Sequence, residues 1–101
     1  MSRRKIAQSE ADADIISRRV GIFKALAHPI RLQMVEMLGR EEELCVCVFY
    51  EKFGVDYAAV SRHLQILKKA GILEDQKRGK HVFYRLNCPC ILSMCNCLGA
   101  K

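Results

Sequence analysis

Apolar residues recur along the chain at two spacings, about every three to four positions over most of its length and every second position near the end. Ile16, Val20, Phe23 and Ala27 share one helical face, with Ile15 and Leu26 beside it, after a Ser9-Glu10-Ala11-Asp12 start in which Ser9 suits the N-cap and the acids suit the first turn. This predicts a first helix over about 10–27. His28-Pro29 interrupts it, because Pro is poor inside a helix and favourable in the first turn of the next. Leu32, Val35 and Leu38, widened by Met34, predict a short, largely buried second helix that Gly39 can end. Glu41-Glu42-Glu43 suits the N-terminus of a third helix over 44–53, and Gly54-Val55 makes a tight link to Asp56.

The strongest pattern follows. Val60, Leu64 and Leu67 form one face of an amphipathic helix that Asp56 can cap and Gly71 can close. Ile72 and Leu73 open an extended run, 76–80 reads as a turn, and Val82, Tyr84 and Leu86 alternate with His81, Phe83 and Arg85. Helix three, a short turn and the amphipathic helix make a helix-turn-helix with the hairpin as its wing. The fold class expected is mainly α with a β-hairpin wing.

At 101 residues the chain is sized for a single domain spanning 1–101, with a weakly patterned basic arm at 1–8 expected to be flexible and a Cys-rich segment at 88–101. The net charge is +6, and it is not spread evenly. Arg62, Lys68, Lys69, Lys77, Arg78, Lys80 and Arg85 face only Glu74 and Asp75 in the helix–hairpin region, which favours a polyanionic partner. No run approaches the ~20 apolar residues that cross a membrane, and the opening residues lack an apolar signal core, so a cytoplasmic protein is expected.

A polar-faced helix followed by a cationic turn suits double-stranded DNA, the helix in the major groove and the turn on phosphates beside it. Ala58, Ser61, Arg62, Gln65 and Lys69 lie opposite the buried stripe, and Tyr57 joins them at the helix start, where base edges are met. Arg62 and Gln65 have the best readout chemistry, for guanine and adenine, while Lys77, Arg78 and Lys80 are the wing's phosphate candidates. A solvated face beside a solvated hairpin is the plainer alternative.

Six cysteines without a secretion signal favour thiols, metal ligands or redox groups over a disulfide framework. Thiolates are soft ligands and select thiophilic ions over Mg, Ca or Mn. Residues 87–101 contain no His, Asp or Glu, which excludes a His/carboxylate zinc site there. The pairs Cys45-Cys47, Cys88-Cys90 and Cys95-Cys97 are Cys-x-Cys, not the Cys-x-x-Cys of zinc knuckles and redox motifs. On a regular helix Cys45 and Cys47 would point roughly 200° apart and could share an ion only if the helix start unwound. No nucleophile–base pair, phosphate loop or carboxylate pair points to an enzyme. His28 reads as a boundary or capping residue, His63 as a packed, hydrogen-bonded one, Tyr84 as wing core, and Met34, Met37 and Met94 as apolar filler.

Four segments together carry a family resemblance: Ala25-Leu-Ala-His-Pro-Ile-Arg-Leu32, Glu43-Leu-Cys-Val-Cys47, Val60-Ser-Arg-His-Leu64 with Leu67 and Ala70-Gly71, and Gly79-Lys-His-Val-Phe-Tyr-Arg-Leu86. In this order they resemble the arsenic-repressor (ArsR/SmtB) family of small winged-helix metalloregulators. The resemblance implies a homodimer formed through the first and last helices, a metal-free dimer that holds operator DNA, and release when a thiophilic ion binds. As(III) or Sb(III) is the first inducer implied, with Cd(II) or Pb(II) next. The chain departs from many arsenic-responsive members at Tyr50, where they carry a third Cys, so helix three alone does not complete a three-thiolate site. Cys88, Cys90, Cys95 and Cys97 offer replacements. Two arrangements stay open: one site bridging Cys45 and Cys47 to the tail, or a tail site of Cys88, Cys90 and Cys95 with the helix-three pair as accessory. A thiol-redox or persulfide sensor of the same fold is the alternative function, and a metal-sequestering protein unrelated to DNA is a further rival.

Overall fold

The computed structural model describes residues 10–54 and 56–99. Helices α1 (Glu10–Leu26) and α2 (Pro29–Arg40) meet at His28, whose backbone is extended and whose ring Nδ1 accepts the Ile30 N–H at 3.1 Å. His28 is therefore the cap of α2, with Pro29 at a position where a missing N–H costs nothing. The expected Ser9 cap and the arm at 1–8 lie outside the described residues.

Gly39 does not end α2. It lies within the last turn, where a Cβ would stand 2.6 Å from Leu92 Cδ1, so the glycine serves the close crossing of a later helix. The acidic run 41–43 does not open a helix either. Glu41 is the C-cap of α2, and Leu44–Cys45 form a short strand, β1, before α3 (Val46–Phe53) begins. The physical reason is the free edge of the wing: β1 pairs antiparallel with β3 (His81–Leu86), Leu44 opposite Tyr84 and Cys45 opposite Phe83. A ladder satisfies backbone groups that a helix start would leave open.

Helix α4 (Tyr57–Lys69) starts at Asp56, whose Oδ1 accepts the Ala59 N–H at 2.7 Å, and closes at Gly71, which adopts φ 83°. Strand β2 (Leu73–Arg78) pairs with β3 through Arg78 opposite His81, which shortens the expected turn at 76–80 to Gly79-Lys80. Gly79 supplies the positive φ, 65°, that such a two-residue connection requires. The sheet order is β1-β3-β2, and α5 (Cys90–Cys97) follows.

Val60, Leu64 and Leu67 are fully buried against Met34 and Val35 of α2, Phe49 of α3 and Ile72, with Tyr84 closing the core from the wing. Each such aliphatic side chain contributes roughly 1.5–3 kcal/mol. The inner face of α4 is thus fixed and its outer face is left to solvent. The stripe of α1 is not covered within one chain: Ile15, Ile16, Val20 and Phe23 are exposed, as is Leu98 beyond α5. Among the described residues no helix is long and apolar enough to cross a membrane.

Candidate nucleic-acid interface and thiolate cluster

Asp56 fixes where α4 begins, and the buried stripe fixes which face turns outward. That face presents Tyr57, Ala58, Arg62, Gln65 and Lys69 to solvent, while Ser61 is half-buried. Two of the readout candidates are engaged within the fold. Ser61 Oγ lies 3.1 Å from the Tyr50 hydroxyl, tying α4 to α3, and Gln65 Nε2 donates to the Tyr84 hydroxyl at 3.4 Å, tying α4 to the wing. Burial, and then the charge of Asp75, pushes the Tyr84 phenol above its ordinary value. Tyr57 leans its ring on Tyr50, with centroids 4.3 Å apart. Among the described residues Arg62 has no such tie, and it is exposed in the first half of the helix.

The basic cluster is sorted by its ion pairs. Asp75 holds Lys68 at 3.1 Å and Glu74 holds Arg85 at 3.4 Å. Arg78 pairs with Glu43 and lies 4.1 Å above the Phe83 ring, so the wing's arginine is anchored toward β1. Among the described residues, Arg62, Lys69, Lys77 and Lys80 keep no acidic partner. These four exposed cations, on α4, β2 and the hairpin turn, are of the kind that meets phosphates.

The cysteines fall in two groups. Cys45 lies outside α3 as its N-cap, in extended conformation, with Sγ accepting the Cys47 N–H at 3.5 Å. The unwinding that a regular helix would have demanded is thus already built in. Cys45 Sγ also stands 3.9 Å from Nδ1 of His81 at the start of β3. Cys47 is exposed on the first turn, and the neighbouring Cys45 side chain is the main reason its thiol is held above the ordinary value. In the tail, Cys88 is half-buried and donates to the Gly71 carbonyl at 3.5 Å, while Cys90 and Cys97 are exposed at the two ends of α5. Burial, then Glu36, pushes the Cys95 thiol up. Among the described residues no three His, Cys, Asp or Glu side chains are gathered closely enough to hold an ion as they stand. The Cys45–Cys47 pair suits a thiophilic ion in donor type and needs a further donor.

His63 packs as expected: its ring centroid is 4.5 Å from that of His28, and Nδ1 meets Arg31 Nη1 at 3.0 Å. Burial first, and then the charges of His28, Arg31 and Arg62, lower its pKa. Two participants escaped the sequence pattern, His81 beside Cys45 and Glu43 beside Arg78. Both contacts depend on the β1–β3 pairing, for which a two-residue strand leaves almost no periodic signal.

The family model described as "Bacterial regulatory protein, arsR family" matches residues 28–75, which run from the cap of α2 into β2. The arsenic resistance transcriptional regulator ArsR1 of Pseudomonas putida is 42% identical over 66 residues, covering 65% of this chain and 52% of that protein. The chain thus spans about half the length of the curated relatives it matches. Among solved structures, the AntR antimony-specific transcriptional repressor is 32% identical, with a TM-score of 0.70 over 96% of this chain and 84% of that one. The homodimeric winged helix-turn-helix domain of Mb0332 from Mycobacterium bovis superposes with a TM-score of 0.81 at 25% identity, over 93% of this chain and 89% of that one.

Proposed function

Because the chain belongs to the arsR family of bacterial regulatory proteins, we propose that it is a homodimeric transcriptional repressor that holds operator DNA and releases it when a thiophilic ion meets its cysteine thiolates. The observation that carries this reading is the position of Cys45. It caps the first helix of the helix-turn-helix and is at the same time a ladder residue opposite Phe83 of the wing. Any rearrangement that draws Cys45 and Cys47 together moves a residue shared by both DNA-facing parts.

Arg62 from α4 and Lys69, Lys77 and Lys80 around it supply the contacts to DNA, Arg62 to a base edge and the lysines to phosphates. Ser61 and Gln65 set the pose of α4 through Tyr50 and Tyr84. The exposed apolar side chains Ile16, Val20 and Phe23 of α1 and Leu98 after α5 support pairing of two chains through the first and last helices. A dimer also places two α4 helices for two half-sites. Cys45 and Cys47 bind the ion as thiolates, with further donors from the Cys88, Cys90, Cys95 and Cys97 tail. As(III) or Sb(III) is the leading inducer, and Cd(II) or Pb(II) the second. Ion and DNA are then linked ligands: each weakens the other by the same coupling free energy.

The test is fluorescence anisotropy of the reduced, metal-free protein on DNA from upstream of its own gene, titrated with arsenite, antimonite, cadmium or zinc. Release by a soft ion, lost on Cys45→Ser or Cys47→Ser with DNA binding kept, is the expected result. Release only by oxidant in chelated buffer would replace the ion with thiol oxidation. Binding unaffected by Arg62→Ala would remove the DNA reading.

A further inference from the structure

The wing carries an imidazole where the sensor lacks a donor. His81 opens β3 directly after the Gly79-Lys80 turn, and its Nδ1 stands 3.9 Å from Cys45 Sγ. A zinc-sized ion with bonds of about 2.3 Å to sulfur and 2.05 Å to nitrogen in tetrahedral geometry needs its two donors about 3.6 Å apart, and a larger ion needs them farther. The observed separation therefore already matches a bridged pair to within a few tenths of an ångström. Cys47 is next to Cys45 in space, its N–H bonded to Cys45 Sγ, and its side chain is exposed. Tyr50, three residues on, has its hydroxyl committed to Ser61 and does not compete for this place.

We propose that Cys45, Cys47 and His81 form a three-donor site within one chain for a divalent cation of the zinc and cadmium class. Two sulfurs and one imidazole suit filled-shell divalent ions, which accept both donor types, better than trivalent arsenic, which is served by thiolates. The fourth position is left to water or a small thiol. Binding releases the protons of the two thiols and leaves His81 neutral, with Nδ1 on the ion. The site differs from any thiolate cluster with the tail in one mechanical respect: its third ligand belongs to the wing. Occupation clips the start of β3 to the N-cap of α3, adjacent to Lys80 and Arg78, so that cation binding acts on the DNA-facing hairpin directly.

The inference rests on the reading of Cys45 and Cys47 as ligands, and the experiment separates the two. Reduced full-length protein labelled with nitrogen-15 is titrated with cadmium, following thiolate-to-metal absorption and the ring nitrogens of His28, His63 and His81. One ring, absent from the spectrum of His81→Ala, should shift to a coordinated position as the absorption grows. His81→Ala should weaken cadmium at this site by more than the ~10–100-fold that loss of an outer-shell partner costs. The same variant should bind arsenite as the parent does and keep the parent's metal-free circular dichroism, His81 being exposed. Thiolate absorption with no histidine shift, or equal loss of arsenite and cadmium binding in His81→Ala, overturns the His81 assignment. Undiminished cadmium and arsenite binding in a Cys45→Ser/Cys47→Ser variant overturns the underlying reading of the pair instead.

Discussion

In the proposed repressor the ion pair between Glu43 and Arg78 would hold one of the wing's cations away from phosphates, and Glu43→Gln tests this. Arg78 and Glu43 side chains are 44% and 33% exposed, so the pair is a solvated one and contributes at most about 1 kcal/mol to stability. The Phe83 ring continues to support Arg78 after the substitution, by roughly 0.5–1 kcal/mol. The melting temperature should therefore move little. The DNA complex should respond much more, because a freed guanidinium can neutralise one further phosphate. Each phosphate adds about 0.9 to the slope of log affinity against log salt, and a homodimer carries the change twice, giving about 1.8. Over a fourfold rise in salt, from about 50 to 200 mM, the gain in affinity of Glu43→Gln over the parent should shrink by about tenfold. The assay is anisotropy on one operator fragment across that salt range. Restoring the parent slope in Glu43→Gln/Arg78→Ala completes the argument. An unchanged slope in Glu43→Gln would show that Arg78 either reaches DNA already or never does, and the restraint would have no functional meaning.

Three further outcomes follow from the packing. Leu64→Ala empties a fully buried position under α4 and should cost about 2–5 kcal/mol in urea unfolding, with operator binding lost in proportion to the unfolded fraction. Gly39→Ala gains about 1 kcal/mol of helix propensity and costs about 1–3 kcal/mol where its Cβ meets Leu92, so urea unfolding should show a net loss of about 0–2 kcal/mol. His63 has a folded-state pKa below the ordinary 6.5, so its neutral form is the one the fold prefers; its contribution is fully present above pH 6.5 and is lost as pH falls through the lowered value. Melting temperature should therefore drop as pH falls from 6.5 to the lowered value and level off in this contribution below it, and His63→Gln should flatten the profile.

The parts of the fold that are locally encoded were legible in the residues. The Asp56 cap, the Val60-Leu64-Leu67 stripe, the His28-Pro29 break and the Gly71 stop each act within one turn of chain, and the structure places each where its chemistry requires. The errors fall where a distant partner decides. Glu41-Glu42-Glu43 has the composition of a helix start, yet the edge of β3 captures Leu44–Cys45 in a ladder. Gly39 resembles a helix stop, yet its role is set by Leu92, fifty-three residues on. The outward face of α4 was placed correctly as a surface, but Ser61 and Gln65 form hydrogen bonds with Tyr50 and Tyr84, which no wheel could reveal. For the cysteines, spacing alone argued that Cys45 and Cys47 diverge on a regular helix, and the same β1 capture that displaced the helix start leaves Cys45 outside α3, its Sγ accepting the Cys47 N–H.

Tyr50 joins α3 to α4, which in the proposed function are the sensor and the DNA-reading helix, and Tyr50→Cys separates those two roles. The phenol bonds Ser61 of α4 at 3.1 Å and its ring packs on Tyr57 at 4.3 Å between centroids. Removing it forfeits a net hydrogen bond of about 1 kcal/mol and an aromatic pair of roughly 0.5–1.5 kcal/mol. The start of α4 should lose its brace, and operator affinity should fall even in metal-free protein. The introduced thiol, one helical turn from Cys47 and on the same surface cleft with Glu51 and Tyr57, supplies the third sulfur that α3 lacks. Arsenite affinity should therefore rise by at least tenfold, measured by competition with a dithiol, while operator affinity of the metal-free variant drops. A rise in arsenite affinity with operator affinity unchanged would mean that Tyr50 is not the strut between the two helices. Unchanged arsenite affinity would mean that the ion's third sulfur does not come from this face of α3, leaving the tail cysteines to complete its coordination.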